Sequence, residues 1–161
     1  MAEDDPERRA LDLWEEGTKT LLSGDVEGAI ELFTKSLEVR PTAEAYTFRG
    51  WAFSHQGDYE RAIEECRKAI ATDPTFGNPY NDIGSYLVTL GRPDEAVTWF
   101  LKAKRAPRYE PRHFPYLNLG RLFYERGRFI EAMDEFEKAR ELNPGDPVAS
   151  EYLERLRMKI N

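Results

Sequence analysis

The side chains best suited to nucleophilic or metal chemistry are few: two histidines, His55 and His113, and one cysteine, Cys66. Neither histidine stands in a nucleophile motif or at a paired ligand spacing, and no glycine-rich loop built to cradle a phosphate accompanies them. A lone cysteine forms no internal disulfide and brings no second thiolate to zinc. It reads as a small buried apolar residue in a reducing compartment. The carboxylate pairs Glu64-Glu65 and Asp94-Glu95 are expected on outward helix faces or at helix starts, where they serve solubility and the helix dipole. The expectation is no enzyme, no cofactor and no metal.

Binding chemistry remains, carried by amides and aromatic rings. In NPYNDIGSYL, residues 78–87, Tyr80, Ile83 and Leu87 have the spacing of one buried helix face, whereas Asn78 and Asn81, three apart, share another. A carboxamide holds both a donor and an acceptor, so it can match the N–H and C=O of a peptide backbone without demanding a particular side chain. For Asn78 a local role stays open, because it precedes Pro79 and can cap the helix that begins there. Asn81 and Asn118 lie past the first residues of their helices, where Asn is a mediocre helix former, which favours a ligand-facing role. Trp51 either packs at a rim or anchors a ligand.

The elements that position these residues show in a repeated register. Gly17, Gly50, Gly84 and Gly120 are each followed seven residues later by Gly24, Gly57, Gly91 and Gly127. Then come Ala29, Ala62, Ala96 and Ala132; Phe33, Cys66, Phe100 and Phe136; Ser36, Ala69, Ala103 and Ala139; and finally Pro41, Pro74, Pro107 and Pro144. Small residues stand where two antiparallel helices approach closely, the second glycine of each set ends a first helix, and proline ends the second. A single helix pair cannot bury its apolar face alone, so the units must stack. With steps of 33, 34 and 36 residues, the ladder resembles the tetratricopeptide repeat over roughly residues 10–144.

That resemblance implies an all-α, right-handed α-solenoid of four helix-turn-helix units and a capping helix, about nine helices in all. The expected boundaries are an acidic segment 1–9, repeats at 10–42, 43–76, 77–112 (with a basic connection) and 113–146, and a cap at 147–161. Glu16 and Thr20 stand where other repeats are apolar, as suits an end unit. The stretch RYEPRHFPY brings the fourth repeat in late, as a Pro-stiffened connection. Asp146 is expected to cap the last helix and Pro147 to begin it, with Ala149, Tyr152, Leu153, Leu156 and Ile160 on its buried face.

In proteins of this family the first helix of each unit lines a concave groove that takes an extended peptide or a partner helix. The resemblance carries Trp14, Trp51, His55, Asn78, Asn81, Ser85, Phe114, Asn118, Arg121 and Tyr124 onto that groove, aromatic at its edges and amide-rich at its centre. Family members that hold a heat-shock chaperone's C-terminal carboxylate use a clamp of Lys, Asn and Arg. The corresponding positions here are Trp14, Thr18, Phe48, Asn78 and Asp82 in one frame and Thr47, Trp51, Asp82, Phe114 and Asn118 in the other. There is no cationic clamp, and Asp82 repels a carboxylate, so a chaperone tail is not the expected partner.

The net charge of −7 is unevenly spread: residues 1–73 hold 17 acidic and 9 basic side chains, whereas 101–128 are basic, with Arg105, Arg108 and Arg112 a possible secondary surface. An acidic chain with no recognition motif is a poor nucleic-acid binder. The charged N-terminus MAEDDPERR and the lack of any long apolar run argue against a signal peptide and a membrane span, and a cytoplasmic protein is expected. The leading reading is a non-catalytic adaptor or scaffold that binds another protein. The alternative is self-assembly, with the acidic first half (including Glu3, Asp4 and Asp5) meeting the basic 101–128 region of a second copy.

Overall fold

The computed structural model describes residues 5–161, so Glu3 and Asp4 of the expected acidic segment lie outside the described residues. Within them run nine helices: α1 (Pro6–Leu22), α2 (Val26–Val39), α3 (Ala43–His55), α4 (Tyr59–Thr72), α5 (Asn78–Thr89), α6 (Pro93–Arg105), α7 (Phe114–Glu125), α8 (Phe129–Leu142) and α9 (Pro147–Ile160). Asp5 belongs to the first of these, since its side chain accepts a hydrogen bond from Glu7 N and caps α1.

Each odd helix packs antiparallel on the next even one, and each pair stacks on its successor, giving an α-solenoid. Direct contacts also join α1 to α3, α3 to α5 and α5 to α7. The first helices therefore form the inner side of the curve. The small residues act as their positions required. A Cβ added to Gly17 would stand 2.7 Å from the Phe33 ring and one on Gly120 2.8 Å from Phe136, while Gly84 faces Phe100 in the same way. Gly91 turns α5 into α6 with a φ of 76°, a left-handed conformation that costs a residue with a Cβ.

The second repeat solves the same packing problem differently. Cys66, fully buried, replaces the phenylalanine, and its thiol is raised well above the ordinary range, first by burial. Beside it Glu65 is also buried, accepting from Arg49 Nε at 2.7 Å and Nη2 at 3.1 Å and from Lys68 Nζ at 3.1 Å. The outward position expected for Glu65 is thus corrected. A guanidinium 16 residues earlier, on the facing helix, compensates its burial.

At the C-terminal end, Asp146 caps α9 through Val148 N at 2.9 Å, and Ala149, Leu153 and Leu156 are buried on the fourth pair. Tyr152 stacks on Phe136 with centroids 4.5 Å apart, whereas Ile160, expected on the same face, is 46% exposed beyond the end of the pair. Among the described residues no helix is long and apolar enough to cross a membrane.

Candidate binding groove

Helices α3, α5 and α7 bound a cavity of about 330 Å³ on the inner side of the solenoid. Its lining is Thr47, Phe48 and Trp51 from α3, Asn78, Asn81 and Asp82 from α5, Phe114 from α7, and Tyr109 and Pro111 from the connection that precedes α7. Phe48 and Trp51, three apart, share one face of α3 and meet edge to face at 5.9 Å. Trp14 of α1 extends the row, 5.2 Å from Phe48, and His55 ends it, 5.1 Å from Trp51. Trp14 itself lines a second cavity, of about 700 Å³, between the starts of α1 and α3, and its indole N–H is buried without an acceptor.

The basic connection is fastened to its own chain at Arg108 and Arg112. Arg108 N donates to Thr75 O at 3.0 Å and its carbonyl accepts from Gly77 N at 2.9 Å, which ties the segment alongside the α4–α5 turn. The Arg108 side chain reaches Glu44 at 2.7 Å and Asp73 at 2.8 Å and covers the Phe76 ring at 4.3 Å. Arg112 donates to Pro107 O at 3.0 Å, and Arg105 is exposed beside the outer-face cavity of Trp99 and Tyr80. So fastened, the strap buries Tyr109 against Gly77, where an added Cβ would stand 2.7 Å from the Tyr109 Cβ. Glycine at 77 is what lets the strap lie in the groove.

The asparagines divide their work. Asn118 Nδ2 donates to Asn81 Oδ1 at 2.9 Å, with Ser85 Oγ at 3.5 Å, so each amide commits one group to the other helix. Asn81 is buried, and its own amide nitrogen keeps no partner in this pair. Asn78 does not cap α5: Gly77 occupies that position with no side-chain bond, and Asn78 is the first helical residue. Its amide nitrogen faces Glu110 O at 3.5 Å, while Oδ1 is buried and unpaired.

One turn along α5, Asp82 is half-buried with no hydrogen bond to offset its loss of water, which pushes its carboxyl up to about 7. The Tyr109 phenol is raised too, by burial first and by the charge of Asp82 second. Phe114 closes the far side, 42% exposed, its ring 4.3 Å from His113, which in turn lies 3.1 Å from Asp146 Oδ2. Of the other expected groove residues, Arg121 is half-buried and outside the cavity lining, and Tyr124 packs on Phe129 and Tyr152 at the α9 seam. Tyr109 and Pro111 were not legible as groove residues, and Asp82, at a groove position by its register on α5, was given a role only in repelling a carboxylate.

Residues 21–75, 78–108 and 113–146 each match a model of the tetratricopeptide repeat. This chain belongs to the tetratricopeptide repeat family. The first match starts inside α1, whose Glu16 and Thr20 depart from the repeat pattern. Among curated tetratricopeptide relatives, the chain is 36% identical over 95 residues to small glutamine-rich tetratricopeptide repeat-containing protein 2 of Mycosarcoma maydis, covering 58% of this chain and 27% of that protein. It is 31% identical over 132 residues to the type IV pilus assembly protein PilF of Pseudomonas aeruginosa, covering 81% and 52%. The solved structure of Pseudomonas aeruginosa pilF superposes with a TM-score of 0.88 at 27% identity, over 96% of this chain and 70% of that one. The chain thus spans about a quarter and a half, respectively, of the length of these two curated relatives.

Proposed function

We propose that this protein is a non-catalytic adaptor that holds a segment of another polypeptide in the groove formed by α1, α3, α5 and α7. The observation that carries this reading is the cavity at the groove's centre, where aromatic rings stand beside amide and carboxylate groups with unused hydrogen-bonding capacity. Repeat units that bury their apolar faces on one another leave the inner faces of the first helices for recognition. Membership of a family of interaction modules supports the reading, as does likeness to a protein named for pilus assembly. A cytoplasmic setting belongs to the same reading and rests on the single, buried thiol.

The self-assembly alternative draws less support from the charges. Lys104, Arg108, Arg126 and Arg128 pair with carboxylates of their own chain, which leaves only Lys102, Arg105, Arg112 and Arg121 of the basic region for a second copy. The test is calorimetric titration of the partner recovered by affinity capture. Trp51→Ala is expected to weaken binding by about tenfold or more, as loss of a buried aromatic anchor does, and the exposed outer-face control Glu64→Ala is expected to bind normally. Normal binding by Trp51→Ala moves the interface off the groove.

A further inference from the structure

The cavity between α3, α5 and α7 carries no cation of its own: its lining holds no Lys, Arg or His, and beside aromatic faces and the amides of Asn78 and Asn81 it presents the carboxylate of Asp82. Asp82 and Asn78, four apart on one face of α5, both line it. The other carboxylates held in partly or fully buried surroundings have internal cations or donors, Glu65 with Arg49 and Lys68, Glu135 with Lys104, Asp146 with His113, and Glu44 and Asp73 with Arg108. Asp82, half-buried, has neither, and Asn78 Oδ1 is buried and unpaired. Nearby cations of the chain are already engaged: Arg108 with Glu44 and Asp73, Arg112 with a carbonyl.

Few occupants suit these walls. A carboxylate adds like charge to Asp82, and an apolar side chain dehydrates both acceptors without pairing them. A cationic head that only donates satisfies both, and the faces of Phe48, Trp51, Tyr109 and Phe114 attract it in addition. We infer that the cavity takes a lysine or arginine side chain of the partner polypeptide, its head on Asp82 and Asn78 and its aliphatic stem among the four rings. This rests on the groove reading above and adds the class of segment recognised, one carrying a basic residue. The strap is part of the site, since it supplies Tyr109 and Pro111.

The experiment uses the whole chain, labelled with nitrogen-15, and follows the Trp51 indole N–H signal by NMR. The probes are the acetyl, N-methylamide derivatives of lysine, arginine, norleucine and glutamate. The lysine and arginine probes are expected to shift the signal saturably, the uncharged norleucine probe to bind at least about tenfold more weakly, and the glutamate probe to leave the signal in place. Asp82→Asn is expected to weaken the cationic probes by about tenfold while raising the melting temperature at pH 8, because an unpaired carboxylate in a poorly hydrated site is removed. Equal binding of norleucine and lysine, or unchanged binding by a folded Asp82→Asn, overturns the assignment. An array of short capped peptides, read with wild type and Trp51→Ala, separates the two levels. Peptides that need Trp51 but carry no basic residue leave the groove reading standing and sink the cation site; an array with no Trp51-dependent peptide sinks the groove reading itself.

Discussion

Asn118 donates its amide hydrogen to the carbonyl oxygen of Asn81 across 2.9 Å, joining the inner faces of α5 and α7. Asn81 is 7% exposed, so its oxygen is poorly placed to find water if Asn118 is lost. Asn81→Ala and Asn118→Ala are each expected to lower stability by about 1 kcal/mol, and the double variant by less than the sum, with a coupling of about 0.5–1.5 kcal/mol. Urea denaturation of the four proteins measures it. Strict additivity breaks the pairing.

Asp82 gives stability a pH dependence of definite sign. Its ordinary pKa is 3.8 and burial raises it to about 7 in the folded chain. Between those values the folded state binds more protons than the unfolded one, so stability falls as pH rises through the window. The other titratable groups whose field Asp82 affects, Cys66 on α4, Tyr86 on its own helix and Tyr109 on the strap, are all raised by burial and stay uncharged there. Asp73 acts in the opposite sense but below the window. The Thr75 hydroxyl and the Arg108 guanidinium hold it at about 2, so its contribution is lost as pH falls from 3.8 towards that value. Melting temperatures from pH 5 to pH 8 are expected to show the decline in wild type and in the control His55→Gln, and a flatter profile in Asp82→Asn. An identical slope in Asp82→Asn refutes the raised carboxyl.

What was legible in the sequence is what repeats at short range. The glycine and alanine ladder marks helix crossings because the residues that would clash, such as Phe33 with Gly17, recur at a fixed distance along the chain. Asp146, Pro147 and the buried face of α9 were legible for the same reason, as local capping chemistry. The strap was not. Its course depends on Gly77 making room for Tyr109 and on Glu44 and Asp73 holding Arg108, contacts between repeats that no local period announces. Glu65 was misread because Arg49 compensates it from another helix.

The strap can be tested at its tightest point. Gly77→Ala places a methyl group where the Tyr109 Cβ lies 2.7 Å away and the Ala106 Cβ 2.9 Å. The expected cost is about 1–3 kcal/mol, as for other overpacked sites, and the release of Tyr109 should appear as raised protease sensitivity between Ala106 and His113 with the helices intact by circular dichroism. Arg108→Ala removes two partly exposed ion pairs and is expected to cost about 1 kcal/mol or less. If Gly77→Ala leaves both denaturation midpoint and proteolysis unchanged, the strap does not lie in the groove.

The end of the solenoid gives the largest expected effect. Helix α9 covers Leu117, Ala132, Phe136 and Ala139 of the fourth pair with Ala149, Leu153, Leu156 and the stacked ring of Tyr152. Its first turn is fixed by Asp146, which takes a hydrogen bond from Val148 N and lies 3.1 Å from His113 Nε2 at the start of α7. Truncation after Pro144 removes that cover at once. Two buried leucines at about 1.5–3 kcal/mol each, with the newly wetted face of Phe136 besides, set an expected loss of more than about 3 kcal/mol. Melting temperature reports the loss, and light scattering reports association through the uncovered face. Should the truncated chain be too unstable to purify, Leu156→Ala carries the same test: the side chain is fully buried, and its deletion is expected to cost about 2–5 kcal/mol. A Leu156→Ala protein that melts with wild type would show that α9 is no part of the fold's stability and that the fourth repeat closes itself.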